Sequence, residues 1–308
     1  MNTLTLAHYY TTPDVQALAD YVGDSLDLAL IAQREQADLI VFAGVQFMAE
    51  TTKILNPQAQ VILPDEGASC SLVTQTDIDA LKAWRNQYAD HVHVSYINSS
   101  AEHKTVSDWI VTSRNVDDII ASLVAEGKKV IFSPDRNMGA YLNYQYGYNM
   151  PVWNAVCEVH DKFKDDQIQH MMRFAKAEGE VYLLAHPESP LPVLKRADFV
   201  GSTRQMLNWV EHYNGPQATI FVATEEGLLH NMRQLRPELN LQVAPIYSGC
   251  QCNACPYMKR NTVELVKQAQ LGQGFVIDYL DDDTVAKAKV PIERMLTFSK
   301  NQSDQHAA

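Results

Sequence analysis

The sequence predicts an α/β fold: three similar three-layer αβα domains with parallel sheets, set around a pseudo-threefold axis. Three observations predict it. Continuous apolar runs such as LIVF, KVIF and TIFV alternate with helical patterns, which is how parallel strands covered on both faces read. One order of elements recurs in stretches that begin at Leu4, Val92 and Val181, about 88 residues apart. Each copy then runs out at cysteine, first Cys70, next Cys157, and last the cluster Cys250, Cys252 and Cys255.

The elements follow in order. LTLAHYYTTPDVQALADYVGDS, VHVSYINSSAEHKTVSDWIVTSRN and VYLLAHPESPLPVLKRADFVGSTRQ each give an apolar strand, polar residues and a helical pattern. Each continues with a second short apolar run (ADYV, DWIV, ADFV) and a Ser- or Thr-bearing turn that opens another helix. The second halves, from ADLIVF to GASC, KKVIF to NAVC and ATIFV to YSGC, each supply strand, helix, strand and cysteine. The units expected are 1–85, 86–174 and 175–261, with 262–300 packing back on the first.

Composition restricts the function. The chain has 308 residues, 46% apolar and 20% charged, enough for well-buried cores, while the tail KNQSDQHAA lacks apolar anchors and is expected to fray. A formal net charge of -12 argues against a general nucleic-acid binder, which needs a basic surplus for phosphates. MNTLTLAHYY has neither the basic n-region nor the apolar stretch of a signal peptide, and no run reaches the roughly 18 apolar residues of a membrane span. A cytoplasmic, reducing setting is therefore expected, where clustered cysteines mean metal or redox chemistry more often than disulfides; five cysteines also cannot all pair within one chain.

In open parallel sheets, ligands bind beyond the C-terminal strand ends, and the repeat concentrates its polar residues there. After the first strand of each unit come His8 and Tyr10, Tyr96 and Asn98, and His186 and Glu188. Imidazoles, phenols and a carboxylate are candidate acid–base groups. After the second strand come Ser25, Ser113 and Thr203, whose hydroxyls near helix starts suit a carboxylate or phosphate, against the plainer reading of helix capping. His160 has no counterpart in the other units and reads as structural. Three like edges facing one axis gather these residues into one cavity. With one cysteine per unit, Cys70, Cys157 and one of Cys250, Cys252 or Cys255 offer three thiolates to a tetrahedral zinc or to an iron–sulfur cluster. The alternatives are a local metal held by the last three cysteines alone, and buried apolar thiols.

AHYYTTPDVQALADYVGDSL, VSYINSSAE, VTSRN, HPES, ADFVGST and CPYMKRNTVELV together resemble the quinolinate synthase family, in the family's order, from about Leu6 to Leu271. The resemblance implies three α/β domains around a pseudo-threefold axis. It implies condensation of iminoaspartate with dihydroxyacetone phosphate to quinolinate in de novo NAD biosynthesis, and a [4Fe–4S] cluster with one open iron. Carried over by motif, the cluster ligands are Cys70, Cys157 and Cys255. His8, Ser25, Tyr96, Asn98, Ser113, His186, Glu188 and Thr203 bind substrate, with Tyr10, Tyr96, His186 and Glu188 in acid–base work. An L-aspartate oxidase that hands over the unstable imine is the partner implied. Two departures stand out, Arg114 and Met138, where the family commonly has a small residue and Leu. Cys252 and Cys255 have the spacing of a pair found in some members, and a disulfide between them removes a ligand. The rival readings are a zinc-dependent lyase or hydrolase using the same thiolates, and a non-catalytic iron–sulfur sensor.

Overall fold

Parallel strands come from the apolar runs, and the computed structural model, which describes residues 2–177, 179–246 and 253–306, contains twelve strands among them. They are β1 (Thr3–His8), β2 (Tyr21–Gly23), β3 (Leu39–Ala43), β4 (Gln60–Leu63), β5 (Val92–Tyr96), β6 (Trp109–Val111), β7 (Val130–Ser133), β8 (Glu180–Ala185), β9 (Phe199–Val200), β10 (Ala218–Ala223), β11 (Asn240–Val243) and β12 (Phe275–Val276). They form three sheets, ordered β12-β4-β3-β1-β2, β6-β5-β7 and β11-β10-β8-β9. In every unit the first strand lies between the second and the third, and these pairs are parallel. The repeat seen in the sequence is thus a repeat of topology.

Burial explains why the central strands carry no polar alternation. All five residues of LIVFA in β3 and all six of ATIFVA in β10 are buried. Successive side chains of the first sheet enter different cores. Leu4, Leu6, Ile40 and Phe42 pack with helices Ser25–Arg34 and Gln46–Leu55, whereas Ala7, Val41 and Ile62 meet Val266 and Ala269 of helix Val263–Gln270. The third sheet is likewise covered on both faces. Its partner in the middle unit differs. There one face is apolar, and the other holds a buried hydrogen-bonded set of His93, Ser95, His103, Ser107 and Ser133.

One element departs from expectation. A fourth strand after KKVIF is replaced by isolated bridges, Phe132 to Val152 and Asp135 to Ala155. Pro134 and Pro151 each remove a donor that a regular ladder needs. Beyond 261 the chain returns. β12 joins β4 as an antiparallel edge, and helix Asp282–His306 packs on β6, helix Ala101–Thr105 and helix Gln46–Leu55. Its Ile292, Met295 and Leu296 enter the core that the first two units share.

Candidate functional site

The site begins where the first strands end. His8 closes β1, Tyr96 closes β5, and His186 directly follows β8. HYY and HPE form the same local turn. The Tyr10 amide donates to Nδ1 of His8 at 3.1 Å, and the Glu188 amide donates to Nδ1 of His186 at 3.4 Å. Each imidazole therefore accepts at Nδ1, which leaves Nε2 to carry the proton of the neutral ring. Tyr10 is held from behind by the third unit, because Gly227 lies against it: a Cβ there would stand 2.8 Å from the Tyr9 carbonyl.

Twelve residues singled out in the sequence line one cavity: His8, Tyr10, Ser25, Cys70, Tyr96, Asn98, Ser113, Cys157, His186, Glu188, Thr203 and Cys255. Glu188 is its polar centre, 2% exposed. It accepts from the Tyr96 hydroxyl at 2.6 Å and the Asn98 amide at 3.3 Å, and His160 Nδ1 lies 2.9 Å from its other oxygen. Burial opposes its charge, but the facing His160 and His186 and these bonds outweigh burial and hold the carboxyl well below its usual range. Burial, then the Glu188 charge, push the Tyr10 and Tyr96 phenols well above theirs. The pair is thus a carboxylate that accepts and phenols that donate.

The hydroxyls are not caps. Asp24 caps helix Ser25–Arg34, and Ser202 caps helix Thr203–Glu211 in a capping box with Gln205. Ser25 and Thr203 occupy the first helical positions instead, where N–H groups and the helix dipole favour an anion. Ser113 lies just before helix Val116–Ala125, at the same edge.

Cys70, Cys157 and Cys255 are free thiols. Burial raises all three, Cys255 to about 11 and the other two further, so a cation has to displace the protons before they ligate. Cys255 is aimed by Glu225, whose carboxylate accepts from the Cys255 amide at 3.0 Å and pairs with Lys259 at 2.8 Å. Cys157, His160 and Glu188 also bring a thiol, an imidazole and a carboxylate within 4.8 Å of one another. Their lone pairs are largely spent, since Glu188 is bonded by Tyr96 and Asn98 and His160 Nε2 by Thr224 at 2.9 Å. The three soft thiols are the better donor set. Cys250 and Cys252 lie outside the described residues, as does the Cys252–Cys255 pairing.

Two functional neighbours escaped the sequence reading. His160, read as structural, lines the cavity and touches both Cys157 Sγ, at 3.1 Å, and Glu188. A turn closed from the fourth amide onto the cysteine carbonyl follows Cys70, Cys157 and Cys255 alike, but its third residue is Val73, His160 and Met258 in turn, so only the middle unit brings an imidazole there. Thr224 bridges Tyr10, at 2.7 Å, and His160. Its position at the end of β10 was the available signal.

The buried imidazoles give a pH prediction. Burial lowers His8 and His186 to about 3 and His93 to about 4, despite opposing help from Glu188 at the first two. Folding keeps these rings neutral, whereas the unfolded chain protonates them near 6.5. Their contribution to stability is therefore present above pH 6.5 and lost as pH falls toward 3. Urea midpoints should drop between pH 7 and pH 4.5, and His8→Gln should flatten that slope. Equal slopes for the two proteins would refute the assignment.

Comparison with known proteins adds to this geometry. The family model described as quinolinate synthetase A protein matches residues 1–297. A protein of Nostoc punctiforme named quinolinate synthase is 42% identical over 97% of this chain and 90% of its own length. One of Gloeothece citriformis with the same name is 43% identical over 97% of this chain and 91% of its own. One of Prochlorococcus marinus is 38% identical over 99% and 90%. Among the described residues no helix is long and apolar enough to cross a membrane. With three thiols, a hydroxyl-lined rim and a buried carboxylate in one cavity, and with relatives this close over nearly their full length, the chain belongs to the quinolinate synthetase A family.

Proposed function

We propose that this chain makes quinolinate by condensing iminoaspartate with dihydroxyacetone phosphate, at a [4Fe–4S] cluster held by Cys70, Cys157 and Cys255 near a pseudo-threefold axis of the units 1–85, 86–174 and 175–261. The observation that carries this reading is the convergence of one thiol from each unit on the cavity that holds Glu188, Tyr10 and Tyr96. When bound, the cluster supplies a Lewis-acidic iron with an open position. Everything else falls to the chain's own groups. Ser25, Ser113 and Thr203 bind the carboxylate and phosphate groups, with helix N-termini behind two of them. His8 and His186, neutral through the physiological range, donate from Nε2 and orient the substrates. Glu188 accepts a proton as carbanion character develops next to an imine or carbonyl, and Tyr96, bonded to it, returns one to a departing hydroxyl. Tyr10, aligned by Thr224, serves the other end of the substrate. Enclosure by the three units keeps water from the imine, which an oxidase acting on L-aspartate supplies.

The test is an anaerobic assay of iron–sulfur-loaded protein with both substrates, reading quinolinate. Product with about four irons per chain and broad absorbance at about 400 nm supports the reading; zinc in their place, or full loading without product, refutes it.

A further inference from the structure

Arg114, in the TSRN segment, has no place in the chemistry above, yet its guanidinium pairs with two carboxylates, one of which, Asp24, lines the cavity. Its Nη2 donates to Asp24 Oδ2 at 2.6 Å and its Nη1 to Asp27 Oδ1 at 2.8 Å. These bonds cross 90 and 87 residues of sequence, from the loop before helix Val116–Ala125 to the start of helix Ser25–Arg34. Arg114 is the residue after Ser113, and Asp24 is the residue before Ser25. The ion pair therefore joins the two segments that carry these hydroxyls.

The surroundings give that link a consequence. Asp24 lines the inner cavity, while Asp27 lines an outer groove together with Arg34, Arg204 and Lys300. Arg114 is bonded to one carboxylate of each space. Asp24 is buried, and it also holds the helix cap by accepting from the amides of Leu26 and Asp27. Without Arg114, the buried Asp24 carboxylate would lose its paired cation and Asp27 its bonded one, beside hydroxyls suited to an anion, and like charge there repels the ligand. A bidentate guanidinium also fixes direction, which a point charge does less well.

We propose that Arg114 is a positioning residue for the anion subsite: it fixes Ser25 against Ser113 and cancels the charge of Asp24 and Asp27 where a substrate carboxylate or phosphate binds. This rests on the reading that Ser25 and Ser113 hold an anionic group.

The test compares cluster-loaded Arg114→Ser, Arg114→Lys and the double variant Arg114→Ser/Asp27→Asn. Arg114→Ser should raise KM for the anionic substrates about tenfold or more, with kcat within about threefold of the parent. Arg114→Lys should recover much of this loss. The double variant should recover part of it by removing an uncompensated charge, which a merely structural ion pair would not allow. Hydrogen exchange should quicken at amides 25–28 and 113–116 in the Ser variant. That readout needs no turnover, so it separates failure of the clamp from failure of the proposed reaction. A KM within about twofold of the parent at normal iron content would overturn the proposal, as would a loss confined to kcat or unchanged exchange.

Discussion

Glu188→Gln loses about a thousandfold in quinolinate formation while keeping its iron, sulfide and fold. Three groups within hydrogen-bond distance face the carboxylate: the Tyr96 hydroxyl, the Asn98 amide and His160 Nδ1. Glutamine preserves the volume and one acceptor oxygen. It replaces the other oxygen with an amide that meets a donor, and it removes the basic group altogether. A general base accounts for about 10²–10⁴ in rate, so a thousandfold loss is about 4 kcal/mol of barrier. Burial, the largest cause of the raised Tyr96 phenol, persists in the variant, so Tyr96 stays protonated and cannot take over as base at neutral pH. The check is kcat of the fully loaded variant under anaerobic conditions. Activity within about tenfold of the parent would remove Glu188 from proton transfer and leave it a scaffold for Tyr96 and His160.

What was legible in the sequence followed local rules. Strands buried on both faces read as LIVF and TIFV, and strand ends in a parallel sheet collect ligand groups, so the repeat pointed to the residues that line the cavity. What was not legible depends on contacts across units. Tyr10 and Thr224 are 214 residues apart in sequence and 2.7 Å apart in space. Glu225 aims Cys255 through a backbone bond that no motif announces. His160 has Val73 and Met258 at the matching positions of the other units, so repetition gives no sign of its role. The missing fourth strand has the same origin, since Pro134 and Pro151 break a ladder that element order alone implies.

The cysteines give the other large effect. Cys255→Ser should leave less than about a tenth of the parent's iron, as should Cys70→Ser and Cys157→Ser, whereas Cys250→Ser and Cys252→Ser should load normally. The argument is geometric first. Cys255 lines the cavity with Cys70 and Cys157, held there by the Glu225 bond to its amide and by the turn Met258–Arg260 that follows. Serine keeps the shape but offers a hard oxygen whose proton is far harder to displace than that of a thiol. The thiol is itself demanding, since burial raises Cys255 to about 11, so loading must release protons and should weaken as pH falls. Iron and acid-labile sulfide, measured on anaerobically reconstituted protein, decide the matter. If Cys252→Ser alone lost the iron, the ligand would lie in the segment before Asn253 and the assignment of Cys255 would fall. If Cys255→Ser lost iron but Cys70→Ser did not, the one-thiol-per-unit site would fall with it, leaving a cluster bound from fewer units than the three sheets supply.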